Sequence, residues 1–322
     1  MYFLFIISLI LAAAVAFFIS MFGVKLGLVD YPNYRSSHSI PIPKGGGMGI
    51  PIGFLLVSIL VKTHISIWLP AILISFLSFL SDKMEIPPRR RFLLQLLIAL
   101  LFLNLINRFY LFTVENVLII VFSALFIVAT ANFFNFMDGI NGIAGITALI
   151  AFSFIAYFSF YIINDKNIAL MSIVLVIGCL GFLPFNFPKA KVFMGDVGSV
   201  FLGFIFAVFV VKLSSTVNIF LCLIMFMSTF YADAIITIFY RLKNGENLTK
   251  AHRNHLYQYL SNELGIAHWK VTAIYALVQI VCGFLSIILY NKTIGFQLIL
   301  IFGFGLVSLM VYKNIKNRLL TN

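Results

Sequence analysis

The sequence predicts an all-α, polytopic integral membrane protein of about 11 transmembrane helices, and three observations predict it. The composition is 62% apolar and only 10% charged over 322 residues, far less polar surface than a soluble domain of that length needs. The apolar residues fall in runs of 15 to 22 spread over the whole chain, close to the roughly 20 residues a helix needs to cross a bilayer. Those runs do not alternate polar with apolar, and they exceed the roughly 10 residues of a barrel strand. Lipid offers unpaired backbone no partner, so helices remain.

In order, the spans fall at approximately 2–22, 46–62, 66–81, 92–107, 115–134, 143–163, 168–185, 199–213, 217–240, 270–290 and 294–312. The first begins without a basic segment and ends without a small-residue cleavage site, so it reads as a helix rather than a cleaved leader. The whole of 1–322 reads as one transmembrane domain whose long loops are 23–45, 82–91, 135–142, 186–198 and 241–269.

Those loops collect on one side. Alternating the spans puts 17 of the 22 lysines and arginines on the side of the long loops and five on the other. The positive-inside rule makes the rich side cytoplasmic, with the N-terminus outside and the C-terminus inside. Eight of the ten acids share that side, all but Glu115 and Asp165. The net charge of +12 therefore reports orientation and contact with anionic lipid rather than nucleic acid. Cys179, Cys222 and Cys282 are isolated within apolar runs and read as small core residues, with no metal spacing.

The first long loop carries Arg35, His38 and Lys44 before Gly45-Gly46-Gly47, where backbone amides at a helix start are expected to approach an anion. Asp82 stands where the third span leaves the membrane, followed by Pro87-Pro88 and Arg89-Arg90-Arg91, which read as orientation markers. Asn132 and Asn135 lie one helical turn apart and share a face. Asp138-Gly139 and Asn141-Gly142 read as tight turns in which glycine supplies positive φ. Asn186 opens the next loop, where Asp196, flanked by Gly195 and Gly198, can offer oxygen to a hard cation. The last loop sets Asp233 and Arg241 eight residues apart and then places His252, Arg253 and His255, the two histidines at i and i+3 able to donate to phosphate. Separated aspartates, cations and histidines on one membrane face are equipment for phosphoryl transfer beside lipid.

Five ordered blocks carry a closer likeness: RSSHSIPIPKGGG, SD before PPR, NFFNFMDGING, VFMGDVGS and HRNHLYQ. In them the chain resembles the polyprenyl-phosphate N-acetylhexosamine-1-phosphate transferases (glycosyltransferase family 4), which include the phospho-muramoyl-pentapeptide transferase and the initiators of O-antigen, enterobacterial common antigen and teichoic-acid linkage units. The last block looks most like the O-antigen initiators. The resemblance implies that undecaprenyl phosphate attacks the β-phosphorus of a UDP-N-acetylhexosamine, giving the polyprenyl-diphosphate sugar and UMP at the cytoplasmic face of a bacterial inner membrane. It implies Mg²⁺ as cofactor, with Mn²⁺ as an alternative, Asp196 and Asp138 as ligands, and Asp82 in the same catalytic group. It assigns the donor diphosphate to His252, Arg253 and His255 and the nucleotide pocket to Asn186, with Arg35, His38, Lys44, Asn132, Asn135 and Asn141 as further substrate contacts. Sugar choice is expected in 241–269, and a homodimer stays open.

Two departures stand out. Relatives usually carry adjacent aspartates where this chain has Ser81-Asp82, and many carry a further aspartate where it has Asn141. A catalytically degenerate homologue is therefore one alternative. A transporter is another, but the spans are nearly free of charge, with Asp233 the main exception. A CDP-alcohol phosphotransferase is the enzyme rival, but the signature of that class is absent around Asp138-Gly139.

Overall fold

Each of the expected apolar segments is helical over most of its length in a computed structural model, which describes residues 2–33, 36–84, 86–106, 113–248 and 252–321. The helices are α1 (Tyr2–Phe22), α2 (Gly49–Leu60), α3 (Ile65–Met84), α4 (Pro88–Leu105), α5 (Val114–Phe136), α6 (Ile143–Phe158), α7 (Lys166–Asn186), α8 (Asp196–Leu213), α9 (Val217–Ile224), α10 (Ser228–Lys243), the single turn α11 (Leu256–Gln258), α12 (His268–Leu289) and α13 (Ile294–Thr321). Among the described residues, eight helical segments are long and apolar enough to cross a membrane, with α9 and α10 joined as one. Gly46–Leu60 and Ile65–Ser81 are apolar but shorter, and α4 opens on Arg89, Arg90 and Arg91. The protein is thus all-α and polytopic.

Local chemistry sets the ends. Thr113, Asp165 and Thr216 cap α5, α7 and α9 by accepting the amides of Asn116, Ile168 and Ile219 at 3.3, 3.0 and 3.3 Å. Pro88 starts α4, where its missing N–H would have had no partner.

The centre is α8, in which every residue but Asp196 and Lys212 is buried. A helix apolar on all sides belongs inside a bundle. It packs against α2, α3, α5, α6 and α9. Around that core α1 packs on α2 and α7, and α12 packs on α6. On the outside α13 buries little of its surface, and among its described residues Gln297 and Tyr312 are the buried ones.

Two of the long loops are stitched together by backbone. The short strands β1 (Val29–Asp30) and β2 (Ile42–Pro43) pair antiparallel, Val29 opposite Pro43 and Asp30 opposite Ile42. The amide of Phe193 donates to Pro43 O at 2.8 Å, and those of Gly46 and Gly47 donate to Phe193 O and Met194 O at 2.9 and 3.0 Å. A Cβ on Gly47 would stand 2.5 Å from the Met194 side chain. The glycines therefore let two loops approach, and the amides of Gly46 and Gly47, expected to face an anion, are engaged with carbonyls.

Candidate active site

All five loops converge on one cavity of about 1130 Å³. Its floor is acidic. Asp196, first residue of α8, accepts from Arg91 Nη1 at 3.0 Å on Oδ2 and from Asn135 Nδ2 at 2.7 Å on Oδ1. Asn135 also donates to Ser199 Oγ at 2.9 Å, so the end of α5 is tied to the first turn of α8. Asp138 lies in the loop just beyond α5 and lines the same cavity. Its carboxyl is pushed up to about 7, first by burial in the protein and then by repulsion from Asp196.

The cavity lining is mixed. Basic and imidazole groups of the lining are Lys44, Arg241, His38, His252 and His255, and its apolar part is Phe92, Leu93, Ala129, Phe133, Phe136 and Ile238 from α4, α5 and α10. Phe92, Leu93 and Phe136 are exposed, so the apolar part continues to the outer surface of the bundle. The cavity joins an ionic chamber to a hydrocarbon-compatible flank.

The last loop is held at both ends by α10. Arg241, buried, donates from Nε to Glu246 at 3.0 Å and from Nη2 to Asn247 O at 2.7 Å. Two turns earlier Asp233 receives the far end of the loop: Leu256 N at 2.9 Å, Tyr257 N at 3.2 Å and His255 Nδ1 at 3.2 Å. Tyr257 reaches across Gly139 to donate to Phe136 O at 3.0 Å. Gly139 has no positive φ; a side chain there would meet the Tyr257 hydroxyl. The turn expected at Asp138-Gly139 is thus a crossing point, whereas Gly142 does take positive φ.

His252 and His255 stand with ring centroids 4.9 Å apart. His252 is pushed down to about 4, by burial and then by repulsion from His255 and Arg241. It stays neutral at pH 7, with one donor and one acceptor rather than two donors.

The remaining sequence candidates divide. His38 lines the cavity edge-on to Phe193 at 4.9 Å, 3.9 Å from Asp30 Oδ2. Lys44, Asn132 and Asn186 also line it. Asn132 donates to Gln95 Oε1 at 2.7 Å. Asn186, buried, accepts from Gly142 N at 2.8 Å and donates to Val192 O at 2.9 Å, so its amide braces two loops from behind. Arg253 is not among the lining residues; it turns to Glu263 at 3.5 Å. Asn141 also lies outside the lining and donates to Pro188 O at 3.1 Å. Arg35 and the side chain of Asp82 lie outside the described residues.

Sequence reasoning passed over Arg91, read as an orientation marker, because charge counting does not show which arginine turns inward. Its signal was its place one turn inside a proline-started helix. It also left Asp233 without a role, although a lone carboxylate inside a span is itself a functional signal.

The donor set suits a hard cation. Among the described residues no group of three His, Cys, Asp or Glu is placed to hold a metal, but Mg²⁺ commonly takes one or two carboxylates and completes its shell with water and phosphate oxygens. The proton affinity of Asp138 is raised first by burial and then by Asp196, and a divalent cation between the two carboxylates would offset both.

The glycosyl transferase family 4 model matches residues 64–214. The chain is 28% identical over 315 residues to a probable undecaprenyl-phosphate N-acetylglucosaminyl 1-phosphate transferase of Bacillus subtilis, across 92% of this chain and 87% of that one. It is also similar to phospho-N-acetylmuramoyl-pentapeptide-transferases. It is 29% identical to that of Staphylococcus epidermidis and 28% to that of Staphylococcus aureus, each over 127 residues, 39% of this chain and 38% of the relative.

Proposed function

We propose that this chain, which belongs to the polyprenyl-phosphate hexosamine-1-phosphate transferase family, transfers N-acetylhexosamine-1-phosphate from a UDP-sugar to undecaprenyl phosphate. The observation that carries the reading is the union of an acidic floor, Asp138 and Asp196, with basic groups and an exposed apolar part in one cavity. A soluble nucleotide-sugar needs the first two, and a phosphate on a hydrocarbon tail needs the third.

In this reading an oxygen of the lipid phosphate attacks the β-phosphorus of the donor. A new P–O bond forms, the bond from that phosphorus to the oxygen bridging to the α-phosphorus breaks, and UMP leaves with the electron pair. The tail lies along Phe92, Leu93 and Phe136, which brings its phosphate to Arg91. Lys44 and Arg241 face the donor phosphates, and Asn135 fixes the orientation of Asp196. Asp138 and Asp196 would hold Mg²⁺, which when bound neutralises charge on the diphosphate. Arg91, which pairs with Asp196, would also offset charge on the lipid phosphate. A phosphate monoester with a second pKa of about 6 is already largely ionised at pH 7, so the serine at position 81 need not abolish turnover.

The excess of lysine and arginine in the long loops supports a site at the cytoplasmic face of a bacterial inner membrane, with the C-terminus inside. The form of the loop from His252 to Gln258 favours initiation of a cell-surface glycan of the O-antigen kind. The test is UMP release from a panel of UDP-N-acetylhexosamines by purified protein with undecaprenyl phosphate and Mg²⁺. Release from at least one donor, lost with EDTA and in Asp196→Asn, is expected. Silence across the panel, with activity gained by Ser81→Asp, would make the chain a degenerate homologue.

A further inference from the structure

Asp233 is a carboxylate within a membrane-spanning helix, and it touches neither Asp138 nor Asp196 by any contact in the structure. Its side chain is 2% exposed, a costly position for an ionisable group unless its surroundings require it. It has five donors. Oδ1 accepts from Thr237 Oγ1 at 3.2 Å, Leu256 N at 2.9 Å and His255 Nδ1 at 3.2 Å; Oδ2 accepts from Tyr257 N at 3.2 Å and Tyr275 Oη at 2.7 Å. Two of these are backbone amides, which a loop anchor would explain. The contact to His255 does something more. An ionised carboxylate only accepts, so the imidazole nitrogen facing it must carry the proton. The other ring nitrogen, Nε2, is buried on a residue that lines the cavity and has no hydrogen-bond partner among the described residues. Such an atom lacks a partner that a ligand can supply.

We propose that Asp233 is a positioning residue that locks the proton of His255 on Nδ1, so that Nε2 faces the cavity as an acceptor for an O–H group of a substrate. That group is either a hydroxyl of the donor sugar or the P–OH of the monoprotonated lipid phosphate. This assignment rests on the transferase reading above for the identity of the two substrates. The tautomer itself does not depend on that reading. It follows from a general property of histidine: the bond made by one ring nitrogen decides what the other can do.

The test has a spectroscopic and a kinetic arm. In ¹⁵N spectra of the full-length protein in detergent, His255 is assigned by its disappearance in His255→Gln. Its Nδ1 is expected to be protonated and its Nε2 bare; a bare Nδ1, or a proton on Nε2, overturns the proposal. Asp233→Asn removes the obligate acceptor, and its spectrum is expected to show His255 with a mixed or reversed tautomer. In that variant kcat/KM is expected to fall about 10- to 100-fold for one substrate. A fall confined to the UDP-sugar assigns the sugar hydroxyl, and one confined to undecaprenyl phosphate assigns its P–OH. A purely structural anchor gives a lower melting temperature with an unchanged His255 spectrum and no split between substrates, and that result refutes the inference. Tyr275→Phe is the control. It removes a bond from the same carboxylate without touching His255, and should lower the melting temperature while leaving the spectrum as in wild type. If Asp233→Asn does not fold, the wild-type Nδ1 and Nε2 signals decide together. Wild-type protein inactive on every donor would refute the transferase reading and leave the spectrum to judge the tautomer.

Discussion

At the residue scale the acidic pair has a measurable signature. The Asp138 carboxyl is raised from 3.8 to about 7 in the folded protein. A raised carboxyl stabilises the fold while it is protonated, and that contribution is lost as pH rises through the folded value. In EDTA the melting temperature should therefore decline as pH is raised between about 4 and 7, then level off, with respect to this group. Asp138→Asn should flatten that decline, and Mg²⁺ should reverse it above pH 7 by occupying the ionised pair. Thermal melts across pH, with and without Mg²⁺, check this; an identical slope in the variant would refute it. The sequence marked Asp138 and Asp196 as candidates from their neighbours. It did not show that Arg91 and Asn135 divide the two oxygens of Asp196 between them, because those partners lie 105 and 61 residues away.

At the element scale the site depends on how closely loops approach one another. Tyr257 crosses Gly139 to reach the carbonyl of Phe136. Gly139→Ala forces a methyl against the Tyr257 hydroxyl, and overpacking of this kind costs about 1–3 kcal/mol. In a Tyr257→Phe background the same change should cost less, since the nearest atom is gone; a double-mutant cycle on denaturant unfolding in detergent measures the coupling. Additive effects would show that the crossing is not the constraint. Helix α10 has the complementary task. Asp233 and Arg241 secure the two ends of the loop that carries His252. Their spacing of eight residues was visible in sequence, but its meaning was not, because the bonds run to backbone atoms whose positions only the folded loop defines.

For the whole molecule, the bundle places every long loop at one end, with α8 as its axis and α13 at its edge. The charge asymmetry expects that end in the cytoplasm. All three native cysteines are buried, so single cysteines can be introduced against a quiet background. A membrane-impermeant thiol reagent applied to intact cells should label cysteines placed at Lys62, Glu115 and Lys292, and should label one at Gly245 only after the cells are opened. The reverse pattern would invert the orientation and place the cavity outside.

The sequence by itself determined the helical membrane class, the segments that form helices and the loops that carry the chemistry, because hydropathy and charge are local properties summed over a run of residues. Only the tertiary structure decided which polar groups share a chamber. It turned Arg91 inward and Arg253 away, engaged the Gly46 and Gly47 amides with a neighbouring loop, gave the amide of Asn186 to the backbone and joined Asp233 to His255. Hydrogen bonds and close approaches act over about 3 Å, a range at which residues distant in sequence become neighbours only after the helices have packed.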